Sequence, residues 1–265
     1  MTVNQGDRTL FVGDIHCDFE SFEFLCKFMI AQVAGIYRVV QVGDFGFWPN
    51  QPNWLWYPKS SLPVPVYFID GNHDDHSVLQ AVRFDKPTKL SEKFDAFYIS
   101  RGYTEGAFVY CGGATSHDRS SRTEGVDWFR QENISEQDLS RALELSRGLP
   151  VQVMVAHDTV REAFRLIKEP QWVFADQNRE LLEQLFFSVQ PKLYVHGHYH
   201  FYRDYEYMGC RFLCLKNPDS FKNEILKIKN ENPQNSYTES QNIAILSIAR
   251  QCCVVIDNDA NLIEF

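Results

Sequence analysis

The sequence predicts an α/β protein built around a parallel sheet. Three observations carry this reading. Short apolar runs end repeatedly in a tight polar tip: residues 9–13 before Asp14, 37–42 before Gly43-Asp44, and 64–69 before Asp70-Gly71-Asn72-His73-Asp74. A stretch with helical spacing (Phe22, Leu25, Cys26, Met29, Ile30, Val33) separates the first two runs. Residues able to do chemistry gather at the ends of these runs, where parallel βαβ units present them.

Each element follows from local pattern. Residues 9–13 read as a buried strand. The helix over 19–34 stops at Gly35, because glycine readily takes the left-handed conformation past a helix end. Strands follow over 37–42 and 64–69. Residues 96–103 and 107–111 read as paired strands around a glycine-containing turn. A helix over 135–147 opens with Ser135-x-x-Asp138, a pattern resembling a capping box. A buried strand over 151–156 ends at His157. Asp176 caps a helix reaching about Val189, and a strand over 192–196 runs into Gly197-His198-Tyr199-His200. Residues 201–216 read as a hairpin turning at Met208-Gly209. The polar, Asn-rich stretch 217–242 is expected to be flexible. Strands over 244–256 and 262–265, turned at Asp257-Asn258-Asp259, close the chain. No internal repeat or linker divides it, so one domain over 1–265 is expected.

Composition narrows the function classes. The chain has 265 residues, of which 44% are hydrophobic, enough to build a core. Its formal net charge is -9, with 26 Lys and Arg against 35 Asp and Glu and no basic run. A protein that grips long nucleic acid presents a basic face to replace counterions. A small substrate, or one held by bound metal ions, suits this balance better than long nucleic acid. The seven cysteines are odd in number and form no CxxC pair, which argues against a disulfide framework and a cysteine zinc site. The N-terminus lacks the profile of a signal peptide, and no apolar run is long enough to span a bilayer. A reducing, cytoplasmic setting is expected.

Five strand ends finish in residues that bind metals: Asp14-x-His16, Asp44, Asn72-His73-Asp74, His157 and His198-x-His200. Singly, each is an ordinary turn or a core histidine. Together and in this order they form a ligand set of carboxylate, amide oxygen and imidazole, suited to Mn, Fe or Zn. The set is large enough for two divalent ions. Such a pair, roughly 3.5–4 Å apart, holds the attacking and leaving oxygens of an in-line displacement.

These motifs, Gly13-Asp14-Ile15-His16, Gly43-Asp44, Gly71-Asn72-His73-Asp74, His157 and Gly197-His198-Tyr199-His200, closely resemble those of the calcineurin-like metallophosphoesterases. The resemblance implies a four-layer α-β-β-α sandwich of two mixed sheets. It also implies two ions, with Mn expected to support activity. One ion would take Asp14, His16, Asp44 and His200; the other would take Asp44, Asn72, His157 and His198. The nucleophile implied is a hydroxide shared by the ions. His73 would touch the scissile phosphate and protonate the leaving oxygen, and Asp74 would orient His73. Gly43-Asp44-Phe45-Gly46-Phe47-Trp48-Pro49 and Gly112-Gly113-Ala114-Thr115-Ser116-His117-Asp118-Arg119 look like a small phage and bacterial branch of the family. Cys17 departs from the glycine that many members carry after Asp-x-His, and places a thiol beside the site.

Other residues leave two readings open. Arg119 suits bidentate phosphate contact or a salt bridge with Asp118 or Glu124; for Arg122 the salt bridge is favoured. The aromatic loop 45–58, with Trp48 foremost, suits stacking on a nucleobase or a hydrophobic plug or dimer contact. His76 and His117 read as loop histidines, and His196 is left out of the ligand set. The expected activity is a phosphodiesterase on small or cyclic nucleotides. A phosphomonoesterase is the alternative, and a non-catalytic scaffold the remote one.

Overall fold

The computed structural model describes residues 7–49, 60–79, 85–90, 92, 95–167, 176–231 and 238–265. In chain order, β1 (Arg8–Val12), α1 (Phe19–Gln32), β2 (Ile36–Gln41), β3 (Val66–Phe68) and a short α2 (His76–Leu79) come first. β4 (Thr88–Lys89), β5 (Phe97–Tyr98), β6 (Thr104–Glu105) and β7 (Phe108–Cys111) follow. Beyond two 3-10 turns lie α3 (Glu136–Ser146), β8 (Val153–Ala156), α4 (Arg161–Ile167), α5 (Gln177–Val189) and β9 (Leu193–His196). The remainder holds β10 (Arg203–Tyr207), β11 (Cys210–Cys214), α6 (Asp219–Glu231), α7 (Glu239–Cys252), β12 (Cys253–Asp257) and β13 (Leu262–Ile263).

The strands form two mixed sheets, ordered β13-β12-β1-β2-β3-β5-β4 and β10-β11-β9-β8-β7-β6. The central pairs are parallel: β1 with β2, β2 with β3, β7 with β8, and β8 with β9. Antiparallel strands sit towards the edges.

The period-two alternation of strand side chains sorts the core into layers. In β1, Leu10 and Val12 point to one cluster with α1, while Phe11 points to another shared with the second sheet. In β8, Val153 and Val155 join that shared cluster, and Met154 and Ala156 face the helices beyond. Strands buried on both faces need apolar residues at successive positions, which is why these runs read as continuous. The result is the expected α-β-β-α sandwich. Helices α1, α6 and α7 supply buried residues to the outer cluster of the first sheet, and α3 and α5 to that of the second.

Two local expectations are corrected. Residues 96–103 do not pair with 107–111 as one hairpin. Phe97 and Tyr98 form β5 beside β3 in the first sheet, and the hairpin is the short β6–β7 pair of the second. Residues 244–252 are helical and belong to α7, with strand beginning only at Cys253. Ile245, Ala249 and Cys252 are spaced to line one helix face and are fully buried. Thr238 also closes a capping box with Gln241. Most of the polar stretch 217–242 lies in α6 and the start of α7, and Phe221 and Ile225 of α6 are buried beside Phe24 and Phe28 of α1. No described helix is long and apolar enough to cross a membrane.

Candidate metal centre

The loops after β1, β2 and β3 of one sheet meet those after β8 and β9 of the other. Asp14, Asp44 and Asn72 therefore come from the first sheet, and His157, His198 and His200 from the second. Close approach makes two glycines obligatory here. A methyl group on Gly71 would collide with the Asp44 carboxylate, and one on Gly197 with that of Asp14. His16, Asp44, His198 and His200 hold left-handed φ angles of 45°, 58°, 74° and 56°. Each such residue costs of order 1–3 kcal/mol and persists only where its surroundings over-determine it. Backbone bonds do this: Ile15 N and His16 N donate to Asp44 O at 3.2 and 2.9 Å, and His198 N donates to the Asp14 carboxylate at 2.9–3.0 Å.

Two ligand clusters result. One atom from each of Asp14, His16, Asp44 and His200 lies within 4.8 Å of the others, and so does one from each of Asp44, His157 and His198. Asp44 belongs to both. Its Oδ1 accepts from His73 N at 2.7 Å, while Oδ2 lies 3.6 Å from His16 Nε2 and 3.3 Å from His157 Nε2. His16 Nε2 and His200 Nε2 converge to 2.8 Å. The first cluster opens towards solvent through His16 and His200, and the second is buried.

The donor set fits divalent cations. His157 Nδ1 donates to Val42 O at 2.9 Å, so Nε2 is the ring atom that faces Asp44 and the one that would offer a lone pair on exchanging its proton for a cation. Burial opposes charge on His157, yet Asp44 and Asp14 hold its pKa up at about 10. The field that retains a proton there also favours a cation. Burial pushes His198 down to about 3, so it is neutral, as an imidazole ligand must be. Asn72 Oδ1 is buried with no hydrogen-bond partner among the described residues. An orphaned carbonyl of this kind costs about 1–3 kcal/mol, a cost that a cation would remove.

The other expected residues are placed as follows. His73 lies beside His16, ring centroids 5.0 Å apart, and burial followed by Arg122 lowers its pKa against the pull of Asp44. Asp74, expected to orient His73, is buried in the same turn. Its carboxylate accepts from Gly46 N, Phe47 N and Gly71 N at 2.8–2.9 Å and staples the second and third loops together. Burial, then the nearby Asp44, raise its pKa to about 7. Arg119 is exposed on a 3-10 turn. The arginine bonded into the site is Arg122, which donates to Ser116 Oγ at 3.0 Å and lies 3.7 Å from Asp118. Phe45 and Phe47 are core residues, and Trp48 packs on Phe129 with centroids 6.3 Å apart. Trp54, Trp56 and Tyr57 lie outside the described residues. Cys17 is half-buried, its thiol donating to Gly46 O at 3.4 Å. His196 is bonded to Tyr205 OH at 3.0 Å and belongs to neither cluster.

Several supporting residues escape the sequence reading. Asp158 beside His157 pairs with buried Arg179 at 3.0 Å and accepts from Tyr199 OH, joining the His157 loop to the His198 loop. Asp70 accepts from Arg101 at 2.6 and 2.8 Å and from Tyr98 OH at 2.8 Å. Buried His76 donates from Nε2 to Gly71 O at 2.8 Å. Glu132 binds Ser116 through both carboxylate oxygens. Ser116, Asp70 and Tyr199 carried a signal only as members of the quoted motifs; the bonds they make join distant positions with no local pattern.

Comparison with known proteins places the chain in a family. The family model for calcineurin-like phosphoesterases matches residues 7–202. No curated protein matches significantly. Among solved structures, GAP50, the anchor in the inner membrane complex of Plasmodium, is 12% identical with a TM-score of 0.48, over 80% of this chain and 72% of that one. TT1561 of Thermus thermophilus is 12% identical with a TM-score of 0.46, over 80% of this chain and 90% of that one. The family match spans well over half of the sequence and covers every loop of both clusters: the chain belongs to the calcineurin-like phosphoesterases, metal-dependent hydrolases of phosphoric esters.

Proposed function

We propose that this enzyme hydrolyses small phosphodiesters, with linear or cyclic nucleotides as the substrate class, at two divalent ions that share Asp44. Asp14, His16, Asp44 and His200 would hold one ion, and Asp44, Asn72, His157 and His198 the other. The observation that carries the reading is the meeting of two ligand clusters at one carboxylate, next to the unpartnered Asn72 oxygen. Two ions held there would supply Lewis-acid stabilisation of phosphate charge and would lower the pKa of bound water.

The chain's own groups complete the chemistry. Asp14 and Asp44 concentrate negative charge in a buried seam, and the His157 tautomer turns Nε2 towards it. His73, tethered through its backbone N–H to Asp44, is the residue assigned to donate a proton to the leaving oxygen. Arg119 is assigned to the outer phosphate contact on its residue type and exposure. Half-buried Trp48 is assigned to the substrate rim, four residues beyond the shared carboxylate.

A substrate panel with Mn(II) tests this. Rates on bis-p-nitrophenyl phosphate and on 2′,3′- and 3′,5′-cyclic nucleotides are expected to exceed that on p-nitrophenyl phosphate. A clear preference for the monoester would replace the diester reading with a phosphomonoesterase.

A further inference from the structure

Asn72 can ligate a cation only through Oδ1, since its amide nitrogen has no available lone pair. Which face of the amide meets the second cluster is therefore decisive. Asn72 Nδ2 donates to Ser116 Oγ at 3.0 Å, and Arg122 Nη1 donates to the same oxygen at 3.0 Å. Ser116 Oγ in turn donates to Glu132 Oε2 at 2.6 Å, while Glu132 Oε1 accepts from Ser116 N at 2.7 Å. A serine hydroxyl has one proton and two lone pairs, so these three bonds use it fully. Ser116, Glu132 and Asn72 are buried, and the Arg122 side chain is 8% exposed, so water does not compete freely. Glu132 is itself anchored, its backbone carbonyl accepting from Arg101 at 2.8 Å.

The alternative amide orientation is excluded by this arithmetic. A flipped Asn72 would set Oδ1 against a hydroxyl whose only proton is already given to Glu132. Two oxygens would then face each other with no hydrogen between them. The flipped NH₂ would meanwhile point where an acceptor is needed. We infer that Ser116, held by Glu132, is a positioning residue that fixes the Asn72 amide so that its oxygen faces the second cluster. The inference rests on the assignment of Asn72 as a ligand.

Mn(II) titration of the purified protein, followed by calorimetry and by electron paramagnetic resonance, counts the equivalents bound and their affinities. Ser116→Ala is expected to weaken one of two equivalents about 10–100-fold, the usual effect of losing an outer partner of a ligand. Glu132→Gln, nearly isosteric, lets the new amide donate to Ser116 Oγ and turns the serine proton towards Asn72. It should weaken the same equivalent, and it serves in place of Ser116→Ala if that variant does not fold. Asn72→Asp presents an oxygen in either orientation. Adding Ser116→Ala to Asn72→Asp should therefore leave affinity unchanged, a result that a general packing role would not give. Wild-type affinity in both Ser116→Ala and Glu132→Gln, or an equal loss in the Asn72→Asp background, overturns the inference. Asn72→Ala separates the two levels: retention of both equivalents at wild-type affinity removes Asn72 from the ligand set and the inference with it. Loss of one equivalent in Asn72→Ala, beside wild-type binding in Ser116→Ala, removes the inference alone.

Discussion

At the scale of single residues, neighbours in one turn divide the labour. Asn72 turns its oxygen inward, His73 carries a half-buried imidazole beside His16, and Asp74 commits its carboxylate to three backbone N–H groups. The resemblance carried by the ordered motifs singled out Asn72 and His73 in the sequence. It could not separate Asp74 as an orienter of His73 from Asp74 as a staple, because its partners lie 27 and 28 positions away in the preceding loop as well as in its own turn. A general acid matters in proportion to how poor the leaving group is. His73→Ala is accordingly expected to retain both ions and to slow cyclic-nucleotide hydrolysis about 10²–10⁴-fold, with a clearly smaller loss on a nitrophenyl ester. Metal content and both rates should be measured on one preparation. Loss of an ion would make His73 a ligand, and equal losses on both substrates would make it a phosphate-binding residue.

At the scale of elements, strands ending in Gly-Asp and Gly-His were readable because a doubly buried parallel strand needs an unbroken apolar run and its tip needs tight turns. The same feature misled at the C-terminus. Residues 244–256 are apolar enough for a strand, yet their first part is α7, decided by the spacing of Ile245, Ala249 and Cys252 and by the Thr238–Gln241 capping box. Short apolar runs leave helix and strand unresolved without such signals. In the 96–103 run, Tyr98 and Arg101 both bind Asp70 at the end of β3, and β5 pairs with β3 in the first sheet rather than with β7 in the second. The cap offers a test independent of the chemistry. Thr238→Ala should lower the unfolding free energy by about 1 kcal/mol, read by urea titration, with both metal equivalents unchanged. An unaltered midpoint would show that the cap contributes nothing to α7.

At the scale of the whole molecule, the site is a seam between two sheets, and buried ion pairs hold the loops around it. Arg101 joins Asp70 after β3 to the backbone carbonyls of Gln131, Glu132 and Asn133. Burial acts to raise the Asp70 pKa, but Arg101 and His76 bring it below the ordinary carboxyl value of 3.8. A carboxyl depressed in the folded state stabilises above its unfolded pKa, and that contribution is lost as pH falls through the folded value. Arg101→Met leaves Asp70 buried without its partner and should cost about 3–5 kcal/mol at neutral pH. In chelator-treated protein, the difference from wild type should shrink below pH 3.8; a difference independent of pH would contradict the assignment. The account as a whole turns on one carboxylate shared across the seam. Mn(II) binding to chelator-stripped protein, counted by calorimetry in wild type and Asp44→Ala with diester hydrolysis followed in parallel, tests it most directly. The expected result is two equivalents and restored activity in wild type, and loss of both equivalents and of activity in Asp44→Ala. Two equivalents retained in Asp44→Ala, or full wild-type activity in excess chelator, would contradict it.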